Sequence, residues 1–242
     1  MDRQHRHQLK QDEFKDTLVQ AEEYFKKHYQ EILRASIIVV VVLGLAAGLK
    51  YYTDRQENAA NTDLGEALTT FRAYVGQATP GQSAPGAPTY TTAQEKYKKA
   101  LSQFDAILGK YKMIPRPKAV AIARYQAGVC QSLLDDHAGA IQTLTEASHD
   151  RDKEIASLAK FALAGELART GKTPEAARLY QELADHPTLS VPKASALLAL
   201  ADAYRDSQPA KARVLYEQLE KEFATNAPVA QAVKQQIATL TP

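Results

Sequence analysis

The feature that most constrains this chain is a predominantly apolar run that covers residues 32–52, and within it residues 37–43 have no polar face. As a helix the run would be roughly 31 Å long, which matches a bilayer hydrocarbon core of about 30 Å. Arg34 and Lys50 flank its apolar centre, and their long side chains can reach the lipid headgroups. The sequence therefore predicts one transmembrane helix. The marker residues of this span are Ile32, Ile37, Val40, Leu43, Leu49 and Tyr52.

A cleaved signal peptide is the main alternative to a membrane anchor, because an apolar run near the N-terminus fits both. Gly44-Leu45-Ala46 has the small-x-small pattern of a cleavage site. The polar segment before the uninterrupted apolar stretch, residues 35–49, is 34 residues long, whereas the basic n-region of a signal peptide is short. We therefore expect an uncleaved signal anchor. A buried core helix is disfavoured because residues 37–43 have no polar side.

Lysine and arginine are more frequent just before the span than just after it. This bias predicts a cytoplasmic N-terminus and a translocated C-terminal domain, which in a bacterium means a single-pass inner-membrane protein facing the periplasm. Residues 1–31 form a predicted helical segment in which Phe14, Leu18, Ala21 and Phe25 roughly share one face. Such a segment fits docking on the membrane or on a partner. A cytoplasmic extension of the transmembrane helix explains the pattern equally well.

The remaining chain, residues 53–242, carries apolar residues at helical spacing and short breaks between the helical runs. Small residues recur where paired helices would cross, at Ala100, Ala140, Ala176 and Ala212, with spacings of 40, 36 and 36 residues. These intervals are close to the repeat length of about 34 residues in tetratricopeptide proteins. The sequence thus predicts an all-α chain: the transmembrane helix, then a tetratricopeptide-like α-solenoid of three to four helical hairpins.

The clearest predicted hairpins cover residues 121–152 and 157–188, and a third begins near Ala194. A fourth, degenerate hairpin precedes these three in the chain. It is interrupted by residues 76–92, which hold three glycines, three prolines and no charge. A segment of that composition buries too little apolar surface to order itself, so we expect a flexible loop there.

Charge and cysteine content exclude several classes of protein. Lys and Arg total 30 against 28 for Asp and Glu, whereas nucleic-acid binders usually have a strong basic excess, so no nucleic-acid partner is expected. The single cysteine, Cys130, excludes an intramolecular disulfide and is expected to be buried. No serine or cysteine has the surroundings of an activated nucleophile. The sequence predicts no enzyme, and no catalytic, metal-binding or cofactor-binding residue.

Stacked helical hairpins form an extended concave surface that binds a peptide or a partner helix. The first helix of each hairpin normally lines that surface. The candidate groove contacts are therefore Arg124, Gln131, Lys160, Glu166, Leu197 and Tyr204.

This arrangement resembles one bacterial family, that of the ancillary Sec-translocon subunit (YfgM-like), whose repeat domain is grouped with that of the cell-division coordinator. The resemblance rests on the anchor at residues 32–52 and on the loose repeats from about residue 58 to residue 240. It implies an inner-membrane protein with periplasmic repeats that associates with the translocon and a periplasmic chaperone during protein export. The long N-terminal segment and the Pro/Gly loop depart from the usual members.

The expected function is a membrane-anchored scaffold or co-chaperone at the export machinery. Its expected partners are translocon subunits, a periplasmic chaperone or exported clients, together with membrane lipids around the anchor. The alternative is a scaffold for an envelope assembly complex of cell division or cytochrome maturation. Co-purification of translocon subunits would support the export role, and co-purification of division or maturation proteins would support the alternative.

Overall fold

A computed structural model describes residues 3–76, 88–112 and 116–239, with side chains from Tyr24 onward except that of Phe25. The described ranges contain nine helices and two strands of two residues each. This confirms the all-helical expectation. The amphipathic face predicted within residues 1–31 lies outside the described side chains.

The helices follow one another with short connections. Their bounds are α1 Arg3–Arg72, α2 Ala93–Lys110, α3 Lys118–Leu133, α4 His137–Ala147, α5 Lys153–Arg169, α6 Thr173–Asp185, α7 Lys193–Tyr204, α8 Pro209–Glu222 and α9 Ala227–Thr239. The predicted hairpins correspond to α3 with α4, α5 with α6, and α7 with α8. Helix α9 is an additional element that follows the third hairpin.

The chain divides into two compact units, Met1–Arg55 and Gln56–Pro242. The sequence predicts that the membrane span begins after residue 31 and ends at residue 52. Helix α1 continues without a break through both positions. The C-terminal part of α1 belongs to the second unit and supplies the first helix of the degenerate hairpin. Ala60, Leu64 and Ala67 are buried there against α2 and α3.

A short pair of strands connects α1 to α2. Strand β1 is Tyr74–Val75, and it pairs in parallel with β2, Thr89–Tyr90. Gly76 follows β1 at φ +105°, a conformation that favours glycine, and its N–H donates to the carbonyl of Tyr90 at 2.9 Å. Of the predicted flexible loop, residues 77–87 lie outside the described residues, and its C-terminal end forms β2.

Local chemistry explains where several helices begin. The side chains of Thr92, Asp136 and Asp152 accept hydrogen bonds from backbone N–H groups in the first turns of α2, α4 and α5. Proline lies in the first turn of α6 and of α8, where its missing N–H costs no helical hydrogen bond. Short polar connections therefore end one helix and start the next.

The four alanines that define the repeat, one each on α2, α4, α6 and α8, are all fully buried. Gly128 shows why small residues are needed at such crossings. A Cβ atom at Gly128 would lie 2.7 Å from Cγ of Leu144, so a larger residue would force α3 and α4 apart. Neighbouring helices from α2 to α9 pack in chain order, and the first helices of successive hairpins also contact each other, α3 with α5 and α5 with α7.

Two clusters of buried side chains hold the second unit together. One joins α1, α2 and α3 around Phe104, and it includes Cys130, which is fully buried as predicted. Burial raises the pKa of the Cys130 thiol to about 12, and the nearby Asp105 adds to the shift. The other cluster extends from α4 to α9 around Leu144, Tyr180 and Tyr216.

Candidate functional site

An open groove lies between α6 and α8, with α7 as its floor, and has a volume of about 750 Å³. The α6 side consists of Pro174, Ala177, Arg178 and Gln181. Spacings of three and four residues place these side chains on one face of the helix. The α8 side consists of Ala210, Lys211, Val214 and Leu215. We call this feature the α6–α8 groove.

The floor and centre of the α6–α8 groove are apolar. Leu200 on α7 is buried, and Tyr204, one turn later, is half-buried. Val214 is 63% exposed and faces the groove from α8. An exposed aliphatic side chain beside a half-buried tyrosine provides apolar surface that a partner can cover.

Two cations stand on opposite sides of this apolar surface. Arg178 is on α6, and Lys211 on α8 holds its Nζ 5.3 Å from the ring centroid of Tyr204. Within the described residues neither cation has a carboxylate oxygen within 4.0 Å. The groove therefore combines an apolar floor with two unpaired positive charges at its rim.

Other cations of the same unit are paired across their own hairpin. Arg124 on α3 contacts Glu146 on α4 at 2.6 Å, and Lys160 on α5 contacts Glu182 on α6 at 2.5 Å. Both members of the second pair lie 36 residues after the corresponding members of the first. A cation–glutamate pair at equivalent positions thus joins the two helices of both hairpins, α3 with α4 and α5 with α6.

The six predicted groove contacts are distributed over different environments. Tyr204 lines the α6–α8 groove. Arg124 and Lys160 form the ion pairs described above, and Leu197 is buried in the core. Gln131 is half-buried on α3. The structure therefore brings one of the six to the groove, which is lined mainly by second helices rather than first ones.

Glu166, the remaining predicted contact, is a buried carboxylate at the junction between the α3–α4 hairpin and the α5–α6 hairpin. Its side chain is 4% exposed and accepts hydrogen bonds from the Ser132 hydroxyl at 2.5 Å and from Nδ1 of His137 at 2.9 Å. Arg169 lies 3.8 Å away. Burial raises the pKa of Glu166, but the hydrogen bonds from Ser132 and His137 and the charge of Arg169 outweigh it and leave the pKa below its usual value.

A second polar cluster lies at the C-terminal end of α7. The Tyr216 hydroxyl on α8 donates to Asp202 on α7, and the Arg205 guanidinium contacts Asp202 at 2.9 Å and Gln236 on α9. Burial raises the pKa of the Tyr216 hydroxyl, and its hydrogen bond to Asp202 raises it further. This cluster connects α7, α8 and α9 just beside Tyr204.

The residues of the predicted transmembrane span lie on the exposed surface of α1. Exposed fractions are 55% for Ile37, 67% for Val40, 62% for Leu43, 60% for Leu49 and 46% for Tyr52. Ile32 is half-buried. Helix α1 is long and apolar enough to cross a membrane, and none of its most apolar stretch is buried within the protein. The same length and composition also fit a signal sequence.

Most residues of the α6–α8 groove were not among the predicted contacts, because the sequence predicts contacts on first helices and the groove is lined mainly by second helices. A signal was present in the repeat itself. Thirty-six residues before Val214 stands Arg178, so α8 has an aliphatic residue where α6 has a charged one. An aliphatic residue at a solvent-facing repeat position marks a surface that differs from its equivalents.

Across the part of the chain that the structure describes, no group of three or more His, Cys, Asp or Glu side chains is placed to hold a metal ion. No protein-family model, curated protein or solved structure matches the chain. Its function must therefore be argued from its own residues.

Proposed function

We propose that this chain is a membrane-anchored scaffold that binds proteins at the bacterial inner membrane, as an ancillary or co-chaperone subunit of the Sec export machinery. The observation that carries the proposal is the pairing, in one chain, of an exposed apolar helix with a helical domain that has an open, apolar groove.

The anchor is supported by the exposure of residues 37–49 on α1. Full burial of a side chain such as Ile, Val or Leu is worth about 1.5–3 kcal/mol, so a long row of such side chains left in water would be strongly unfavourable. Insertion into a bilayer buries the whole row while the helix satisfies its own backbone hydrogen bonds. Lys and Arg before the span favour a cytoplasmic N-terminus.

A tetratricopeptide-like solenoid is supported by the recurrence of contacts with the repeat. The buried alanines at Ala140, Ala176 and Ala212 are separated by equal intervals of 36 residues, and the ion pairs of Arg124 and Lys160 recur at the same interval. First helices that contact one another in succession are what such a stack requires.

The export role follows from the family that the sequence resembles and from the geometry of tethering. An anchor keeps the groove close to the membrane, which raises its effective concentration beside an exporting channel. A partner held there would meet chains as they emerge.

Photo-crosslinking of the full chain in bacterial membranes tests this proposal. Photoreactive residues replace Tyr204 or Val214 in the groove, and Leu189, which is 93% exposed and outside the groove, serves as the control position. Translocon subunits, a periplasmic chaperone or exported chains should be captured from Tyr204 and Val214 but not from Leu189.

Capture of cell-division or cytochrome-maturation proteins alone would replace the export role with the envelope-assembly role. The anchor is tested separately by alkaline extraction of the membranes. A chain shortened at its N-terminus and released into the soluble fraction would show that α1 acts as a cleaved signal sequence, and the anchored scaffold would be rejected.

A further inference from the structure

We propose that the α6–α8 groove takes an amphipathic helix of a partner protein whose apolar stripe is flanked by carboxylates. This inference rests on the proposed protein-binding function and specifies the chemistry of the occupant. Apolar complementarity, the shape of the groove and two rim cations that have no carboxylate partner within the described residues each contribute to it.

The shape of the groove favours a helix. Its α6 side extends over eight residues from Pro174 to Gln181, or roughly 10 Å along the helix axis, which corresponds to about two turns of a bound helix. Six of its ten lining residues are exposed, so the groove is shallow and open along its length. A lipid acyl chain or a small molecule is better held by an enclosed cavity.

The apolar surface is arranged to receive side chains spaced by one helical turn. Leu200 and Tyr204 are four residues apart on α7, and Val214 faces them from α8. An amphipathic helix places its apolar residues at the same spacing of three or four residues, as in other helix-in-groove complexes. Such a helix would cover the exposed face of Val214 and the ring of Tyr204.

The charge of the occupant follows from the rim. Arg178 and Lys211 stand on opposite sides of the groove and have no carboxylate partner within the described residues. Asp202, the acidic residue of α7, already accepts hydrogen bonds from Tyr216 and Arg205. Carboxylates on both flanks of an apolar stripe would pair with these two cations and fix the register of the bound helix.

The same chemistry is not present one repeat earlier. The positions on α6 equivalent to Lys211 and Val214 are Glu175 and Arg178, and Leu167 on α5 corresponds to Tyr204. That junction offers a leucine and an acid where the groove offers an aromatic ring and a base. The occupant is therefore expected to bind between α6 and α8 rather than at every junction.

A direct binding measurement tests the inference on the full chain held in lipid nanodiscs. The probe is a fluorescent helical peptide of about 15 residues, a length at which a helix becomes marginally stable, with leucines on one face and glutamates on both flanks. A second probe carries lysines in place of the glutamates, and a third has the leucines scrambled around the helix. Fluorescence anisotropy gives the three dissociation constants.

The glutamate probe should bind at least about tenfold more tightly than the lysine probe, and the scrambled probe should not bind. Val214→Ser should weaken binding of the glutamate probe about tenfold. Leu189→Ser, which alters an exposed aliphatic residue outside the groove, should leave it unchanged. Both sites are solvent-facing, so neither variant is expected to unfold the domain.

Reversing the charges at the rim separates electrostatic pairing from nonspecific apolar binding. The double variant Arg178→Glu with Lys211→Glu should reverse the preference and bind the lysine probe more tightly. Arg151→Glu changes an exposed arginine in the connection before α5 and should not alter the preference. Equal binding of both charged probes, or an equal loss in Leu189→Ser, would overturn the proposed chemistry.

The outcomes also separate this inference from the proposed function. Photo-crosslinks from Val214 to partner proteins, combined with no binding of the glutamate probe, would leave the scaffold intact and overturn the acidic helix as its occupant. Competition of the probe by vesicles of anionic phospholipid, with the same loss in Val214→Ser, would assign the groove to lipid and also overturn the inference.

Discussion

The Glu166 junction and the α6–α8 groove lie at neighbouring hairpin junctions but differ in how their polar groups are satisfied. At Glu166 a buried carboxylate receives hydrogen bonds from Ser132 and His137, so its charge is used within the fold. At the groove, Arg178 and Lys211 stand over exposed apolar surface without a carboxylate partner among the described residues. A polar group paired internally supports the fold, whereas an unpaired group beside exposed apolar surface is available to a partner.

This contrast predicts that the interior of the hairpins controls stability and the groove does not. Leu144→Ala should lower the free energy of unfolding by about 2–5 kcal/mol, because Leu144 is fully buried and its loss leaves a cavity. Val214→Ala, at the exposed groove position, should change it by less than about 0.5 kcal/mol. Urea titration of the full chain in detergent, followed by circular dichroism, measures both.

A loss of similar size in the two variants would show that the groove is part of the core. The comparison between the two regions would then fail.

Glu166→Gln should cost about 1–3 kcal/mol at neutral pH, because the neutral amide is a weaker acceptor for Ser132 and His137 and places an extra donor beside them. The matched control is Glu217→Gln, an exposed acid on α8, which should have no measurable effect. The same urea titration at several pH values adds a second test.

The pH dependence has a definite sign. The pKa of Glu166 is lowered in the folded chain, so the unfolded chain binds its proton first as the pH falls. The stabilisation is complete above the unfolded pKa of about 4.3 and is lost as the pH falls through the folded value. The difference between the natural chain and Glu166→Gln should therefore shrink in acid, and a constant difference would contradict the role of the carboxylate.

The smallest expected effect is the difference in the free energy of unfolding between removing a paired cation and removing a rim cation of the groove. Lys160→Ala removes an ion pair with Glu182 that is partly exposed, and should cost about 0.2–1 kcal/mol that decreases with added salt. Arg178→Ala removes a cation without a carboxylate partner among the described residues, and should leave stability unchanged. A double-mutant cycle with Glu182→Ala isolates the Lys160 pairing energy.

An equal loss for Arg178→Ala would mean that Arg178 supports the fold, and its assignment to the rim of a binding groove would be wrong.

Much of the local structure could be predicted from short-range signals. Asp136 and Asp152 precede helical runs and cap them, and Ala140, Ala176 and Ala212 recur at a fixed interval and are fully buried. Helical periodicity and capping depend on residues a few positions apart, so a sequence displays them directly.

The roles of individual polar residues could not be predicted in the same way. Their position on first helices predicts one shared binding surface for Lys160, Glu166 and Tyr204. Their partners are 22 or more residues away: Glu182 for Lys160, and Ser132 and His137 for Glu166. Whether a charge is used inside the fold depends on such distant partners.

The pattern of the chain was enough to establish helices, their crossings and an apolar run long enough to cross a membrane, because each of these follows from composition and spacing along one helix. Packing of the helices decided which side chains remained available. It buried Leu197, paired Lys160 and placed Tyr204 beside Val214 and Lys211, residues that share a surface only because α7 and α8 fold against each other. A groove is a property of three helices together, and it exists only in the folded chain.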